Sequence, residues 1–303
     1  MDNHRIQHKI LDLKKQHDAA ILVHNYQRPE IQELADYLGD SLDLARRAMM
    51  LPQPVIVFCG VHFMAESAAI LAPEKTILLP HPDAGCPLAD CASPDRVRDA
   101  RKQHPDAVFI AYINTSAAVK AEVDVVCTSA NALRIIKRLS DREICYLPDK
   151  NLAAYAAEKL GIRMIPWPGQ CYVHDHLIDL ETVERLKEQN PGAVVMAHPE
   201  ASPAVLKTAD IVTGTSGMIR EAISSRNSHF IVVTERGLVE RMRREIPGKT
   251  FIPIPTAVCS QMKLTTLETV LDSLQYFQHV ISVPGPVAVK ARRSLDRMLE
   301  LSE

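Results

Sequence analysis

Apolar residues in this chain cluster in short runs that stop on a polar residue. The runs AILVH, VFIAY and VVMAH end at His24, Tyr112 and His198. Each is apolar at consecutive positions, as a parallel strand buried on both faces must be, which predicts strands over 20–24, 107–112 and 193–198. Second runs follow at 54–60, 143–149 and 229–235, and third runs at 75–80, 162–166 and 249–254. Helical periodicity fills the intervals, opening each set with segments at 5–17, 93–104 and 179–190. Ser93 and Asp179 stand where the last two need N-caps. Strands alternating with helices point to parallel sheets with helices on both faces.

The pattern occurs three times. Twelve residues after His24, Tyr112 and His198 stand Asp36, Asp124 and Asp210, and five further on stand Ser41, Ser129 and Thr215. The register offsets are 88 and 86 residues. About fifty residues past each aspartate comes a cysteine in a loop: Cys86, Cys171 and Cys259. A period of this size marks three similar α/β/α modules around a pseudo-threefold axis. The boundaries expected are 1–90, 91–176 and 177–262. Helical segments at 265–278 and 287–301, within residues 263–303, are expected to pack back on the first module.

Length and composition agree with several small domains. The chain has 303 residues, too many for one small core, with 47% hydrophobic and 24% charged residues. A formal net charge of -2 gives no pull toward nucleic acid or anionic membrane, and 5% aromatics weakens base stacking. The opening MDNHRIQHKILDLKKQHD is too polar for a signal peptide, and no apolar run approaches eighteen residues. A cytoplasmic setting is expected, in which the seven cysteines serve as thiols or ligands.

In open α/β sheets ligands gather at the carboxyl ends of the strands. His24, Tyr112 and His198 end the first strands, and Tyr26, Asn114 and Glu200 follow two residues later on the same face. These six supply acids, bases and donors for carbonyl, imine or hydroxyl chemistry. Singly, each is more readily a structural residue; recurrence at one repeat position favours a site. Ser41, Ser129 and Thr215 precede helices, where a hydroxyl and free N–H groups make an anion site, although N-capping alone would also account for them.

Three repeat-matched cysteines near one axis suggest a metal or iron–sulfur centre with an open coordination position. Their spacings of 85 and 88 exclude a local zinc-finger or ferredoxin run and fit a centre assembled between domains. Cys91, close to Cys86 but unmatched in the other copies, is the second choice of ligand. Cys59, Cys127 and Cys145 have apolar neighbours and read as core.

At these motifs the chain resembles the quinolinate synthase family. The resemblance rests on HNYQRPEIQELADYLGDSLDLA (24–45), GVHFMAE (60–66), CTSANA (127–132), PDKNLA (148–153), HPE (198–200) and AVCSQMK (257–263), and runs in order from about residue 5 to 300. It implies three modules around a [4Fe–4S] cluster held by Cys86, Cys171 and Cys259 with one open iron. It also implies condensation of iminoaspartate (iminosuccinate) with dihydroxyacetone phosphate to quinolinate, the pyridine precursor of NAD, with loss of phosphate and two waters. An L-aspartate oxidase or aspartate dehydrogenase would supply the labile imine. Carried over position by position, His24, Tyr26, Ser41, Tyr112, Asn114, Ser129, His198, Glu200 and Thr215 contact substrate. Glu200, Tyr26 and Tyr112 would move protons, while the histidines and hydroxyls hold carboxylates and phosphate. The chain departs from the family after HPE, where it reads AS in place of cysteine–proline. It also departs at TGTSGM, where Gly-Ser-Thr is usual, and at Tyr172, where proline is common. Beside this reading stand a three-cysteine zinc hydrolase and a non-enzymatic iron–sulfur sensor, although no basic recognition element accompanies the latter.

Overall fold

The computed structural model describes residues 3–302, which build three four-stranded parallel sheets. The first contains β1 (Ala19–His24), β2 (Tyr37–Gly39), β3 (Val55–Cys59) and β4 (Thr76–Leu78). The second contains β5 (Val108–Tyr112), β6 (Val125–Cys127), β7 (Ile144–Leu147) and β8 (Ile165–Pro166). The third contains β9 (Val194–Ala197), β10 (Ile211–Val212), β11 (His229–Val233) and β12 (Thr250–Pro253). Their orders, β2-β1-β3-β4, β6-β5-β7-β8 and β10-β9-β11-β12, are one topology three times over. Register repeats too: Val23 pairs with Cys59, Ala111 with Leu147 and Ala197 with Val233.

Each sheet holds one strand more than the expected three. The additional strands β2, β6 and β10 are edge strands of three, three and two residues, too short to show a period. They explain the repeated aspartate, which directly precedes each of them. Oδ2 of Asp36, Asp124 and Asp210 accepts from the N–H of Ile21, Phe109 and Val195 at 2.8, 2.7 and 2.8 Å. Their own N–H groups donate to the carbonyls of the same three residues at 2.9, 3.0 and 2.9 Å. The most regular polar residue of the repeat is therefore a bracket that starts the edge strand against its neighbour.

Ser93 and Asp179 cap their helices, accepting from Arg96 N at 3.4 Å and Thr182 N at 2.7 Å. The two C-terminal helices, expected together on the first module, part company. Leu267–Tyr276 lies along Asn3–Gln16 and β3. Gly285–Leu301 instead runs across Ala117–Lys120 and β6 of the second module while also touching His62–Leu71 of the first. The reason is its stripe of Ala291, Leu295, Met298 and Leu301, which completes a core shared by the first two modules. The third sheet packs in apolar clusters of its own. Among the described residues no helix is long and apolar enough to cross a membrane.

Candidate active site

The carboxyl ends of the three central strands meet at one cavity of about 790 Å³, counting its open mouth. His24 and Tyr112 are the last residues of β1 and β5, and His198 directly follows β9. All three line the cavity, as do Tyr26, Asn114 and Glu200. Ser41 and Thr215 reach it from the first positions of the helices Ser41–Met50 and Thr215–Ser224, and Ser129 from just beyond β6. Cys86, Cys171 and Cys259 complete the lining. The structure thus brings together all twelve residues that the sequence singled out.

The hydroxyls are not helix caps. Asp40 caps Ser41–Met50, accepting from Leu42 N and Asp43 N at 3.0 Å each. Gly214 and Asn131 occupy the cap positions before Thr215–Ser224 and Ala132–Arg138. Relieved of capping, the hydroxyls face the cavity beside two histidines of fixed tautomer. His24 Nδ1 accepts from Tyr26 N at 3.2 Å, and His198 Nδ1 from Glu200 N at 3.4 Å. Burial pulls both imidazoles down to about 3, so both are neutral and carry their hydrogen on Nε2. His198 Nε2 lies 3.3 Å from Ser129 Oγ. This side of the cavity offers N–H and O–H donors, the chemistry that receives carboxylate or phosphate.

A proton-handling chain runs through the same space. Tyr112 donates its phenol to Glu200 Oε1, and His174 Nδ1 lies 2.8 Å from Glu200 Oε2. His174 Nε2 is 2.9 Å from Thr234 Oγ1, which is 2.7 Å from the Tyr26 hydroxyl. Burial by itself would raise the Glu200 carboxyl. Its contact with His174 and the hydrogen bonds from His174 and Tyr112 outweigh it and hold the group low, at about 2. Burial, and then the Glu200 charge, push the Tyr26 and Tyr112 phenols well above their ordinary range. One carboxylate flanked by protonated phenols is a set able to take a proton at one point and return it at another.

The three sulfurs are free thiols. Burial raises all three, Cys86 to about 12. Backbone N–H groups oppose it in every copy: Ala89 and Leu88 for Cys86, His174 for Cys171, Met262 and Gln261 for Cys259. Each cysteine opens a short helical turn whose N–H groups favour a thiolate, the form in which sulfur ligates a metal. The sulfurs do not all lie within 4.8 Å of one another. Cys171, His174 and Glu200 do fall within 4.8 Å of one another, with Tyr112 bonded to Glu200 Oε1 and His174 beside Oε2. Cys59, Cys127 and Cys145 are buried in β3, β6 and β7, and Cys91 bonds to Pro87 O at 3.4 Å outside the cavity.

The model of the family described as quinolinate synthetase A protein matches residues 8–300. The chain belongs to the quinolinate synthase family. It is 48% identical over 301 residues to quinolinate synthase of Methanoregula boonei, covering 99% of each chain. It is 45% identical over 303 residues to quinolinate synthase 2 of Methanosarcina acetivorans, covering 100% of this chain and 97% of that one. Quinolinate synthase of Thermodesulfovibrio yellowstonii is 48% identical over 295 residues, 97% of each chain. Membership in the quinolinate synthase family makes the chain an enzyme.

Within this quinolinate synthase cavity, several supporting residues escaped the sequence reading. His174 is the main one, and its place three residues after Cys171 was the available signal. Glu235, fully buried, accepts from Cys259 N at 3.2 Å, Gly237 N at 2.6 Å and Lys263 Nζ at 2.9 Å. Tyr172, the departure from the family's proline, accepts from Ser260 N at 2.8 Å and ties the second cysteine loop to the third. His174 and Tyr172 act across module boundaries, which spacing within one copy does not reveal.

Proposed function

We propose that this chain condenses iminoaspartate with dihydroxyacetone phosphate to quinolinate, releasing phosphate and two waters, and so feeds NAD biosynthesis. The observation that carries the reading is the Tyr112–Glu200–His174 chain, which reaches Cys171 inside a cavity otherwise lined with anion-binding donors. A [4Fe–4S] cluster on Cys86, Cys171 and Cys259, one thiol per module, belongs to the same proposal. When bound, it would supply a Lewis-acidic iron with a position open to a substrate oxygen or nitrogen.

The chain's own residues divide the remaining work. His24 Nε2–H and the hydroxyls of Ser41, Ser129 and Thr215 receive carboxylates and phosphate, with Asn114 and His198 beside them. Glu200, held as a carboxylate, takes a proton from substrate carbon or nitrogen. The Tyr112 and Tyr26 phenols, kept protonated by burial, return protons to departing oxygen. His174 and Thr234 join Glu200 to Tyr26, so a proton removed at one end is available at the other. The labile imine calls for an L-aspartate oxidase or aspartate dehydrogenase nearby. A cytoplasmic setting, where seven free thiols stay reduced, completes the reading.

Anaerobic purification tests it. Broad visible absorption, about four irons per chain and quinolinate formed from the two substrates are expected. A colourless chain with one zinc would overturn the cluster, and an iron-loaded chain that makes no quinolinate would overturn the reaction.

A further inference from the structure

Asn25 follows His24 in the sequence but does not line the cavity, and it is fully buried. Its side-chain amide has two partners. Arg241 Nη1 meets one end, and Thr215 Oγ1 stands 2.8 Å from the other. A guanidinium can only donate, so the end facing Arg241 is the carbonyl oxygen and the end facing Thr215 is the amino group. Thr215 Oγ1 is therefore an acceptor in this contact. Its own hydrogen has to go elsewhere, and no acceptor for it is found among the described residues. Thr215 is buried against the cavity, so the cavity is where that hydrogen finds a partner.

The amide has no freedom to turn over. Arg241 is anchored by Glu245 at 2.9 Å. The Asn25 backbone is pinned on both sides, its N–H to Gly39 O at 3.1 Å and its carbonyl to Gln32 Nε2 at 3.1 Å. Ser129 obeys the same logic, because His198 Nε2–H points at its oxygen and leaves its hydrogen to the cavity. The two hydroxyls come from different modules, and Gly214 lets them close in: a Cβ there would stand 2.7 Å from Ser129 Oγ.

We infer that Asn25, held by Arg241, is a positioning residue that makes Thr215 a hydrogen-bond donor to an anionic group of the substrate, a phosphate or a carboxylate. This deepens the substrate-holding role proposed for Thr215 and rests on it. Asn25→Asp is the informative variant. It keeps the size and the Arg241 contact, but its second oxygen can only accept, so the Thr215 hydrogen turns inward and oxygen lone pairs face the anion.

The test measures kcat and KM for both substrates, and competition by inorganic phosphate and by succinate, in Asn25→Asp, Thr215→Val and the double variant. Asn25→Asp should raise one KM about 10- to 100-fold, the worth of a hydrogen bond to a charged group, with kcat changed much less. Weaker competition by phosphate alone identifies the phosphate; weaker competition by succinate alone identifies a carboxylate. In the Thr215→Val background the effect should vanish, because the hydroxyl through which Asn25 acts is gone. An equal loss in that background would show a general structural effect and overturn the inference. Thr215→Val weakening binding while Asn25→Asp does not would overturn the inference alone. No effect of Thr215→Val on either substrate would overturn both it and the role given to Thr215. If Asn25→Asp does not fold, Arg241→Met frees the amide to rotate. It should give a smaller rise in the same KM, again abolished by Thr215→Val, and a rise persisting there overturns the inference.

Discussion

Oε2 of Glu200 lies 2.8 Å from Nδ1 of His174, which belongs to a different module and also stands 3.3 Å from Cys171 Sγ. One imidazole therefore touches both the carboxylate proposed as base and a sulfur proposed as ligand. This contact is where the acid–base chemistry and the thiol chemistry of the cavity meet.

Glu200→Gln keeps the shape of that contact and removes the base. Turnover should fall by roughly 10²–10⁴-fold, the usual worth of a positioned acid–base group. KM for both substrates should change little. Near-normal turnover would exclude Glu200 and leave the two tyrosines.

Changing Cys86, Cys171 or Cys259 to alanine should each abolish iron binding and activity, because a cluster short of a thiolate is labile. Cys59→Ala, Cys127→Ala and Cys145→Ala, at buried strand positions, should retain iron. Iron analysis of anaerobically purified variants decides the matter. Full iron content in any of the first three would move the ligand set, with Cys91 the next cysteine to test.

Stability should depend on acid through the two neutral histidines. Unfolding frees His24 and His198 to titrate near their solution value of about 6.5, whereas burial holds both at about 3 in the fold. Between those values the unfolded chain binds more protons, so stability rises with pH and is lost as pH falls. The slope approaches about 1.4 kcal/mol per unit for each histidine below its solution value, or ~3 kcal/mol for the pair from pH 6.5 to 5. Glu200, held at about 2, adds a loss of the same sign once pH falls below the unfolded carboxyl value. Denaturant unfolding at several pH values measures the slope, and changing both histidines to glutamine should flatten it. A flat profile in the parent chain would mean that the rings are solvated.

Gly214→Ala should act on binding. The new methyl would stand 2.7 Å from Ser129 Oγ and displace that hydroxyl. Weaker substrate binding with little change in melting temperature is expected. Unchanged KM values would show that the third-module loop yields without moving Ser129.

Asp124→Ala should do the reverse. It removes the acceptor for Phe109 N, outside the lining of the cavity, at a cost of about 1–3 kcal/mol in stability. Kinetic constants of the folded enzyme should stay near the parent values.

Much of the site was legible because its residues recur at strand ends. The runs ending at His24, Tyr112 and His198 are apolar on both faces for the same reason that they are central strands, and their ends mark the cavity. The edge strands were illegible because two or three residues carry no period. His174 and Asn25 were missed for another reason: each works through a partner in another module, Glu200 and Thr215 respectively, while Glu235 works through Cys259, distant in its own module's sequence. The hydroxyls showed the limit of local rules. A serine or threonine before a helix reads as a cap, yet Asp40 takes that role beside Ser41.

Three sheets of identical strand order turn equivalent ends to one cavity. Had the copies stayed identical, a bound molecule would have met the same wall after every third of a turn and could have settled in any of three equal poses. Only one pose could then be productive. The copies diverged where this matters: a tyrosine stands between two histidines at one level, and a tyrosine, an asparagine and a glutamate stand at the next. The aspartate brackets, which lie outside the lining of that cavity, did not diverge. Scaffold symmetry and lining asymmetry are thus separate properties of one repeat, and the second removes the degeneracy that the first would impose on the cavity.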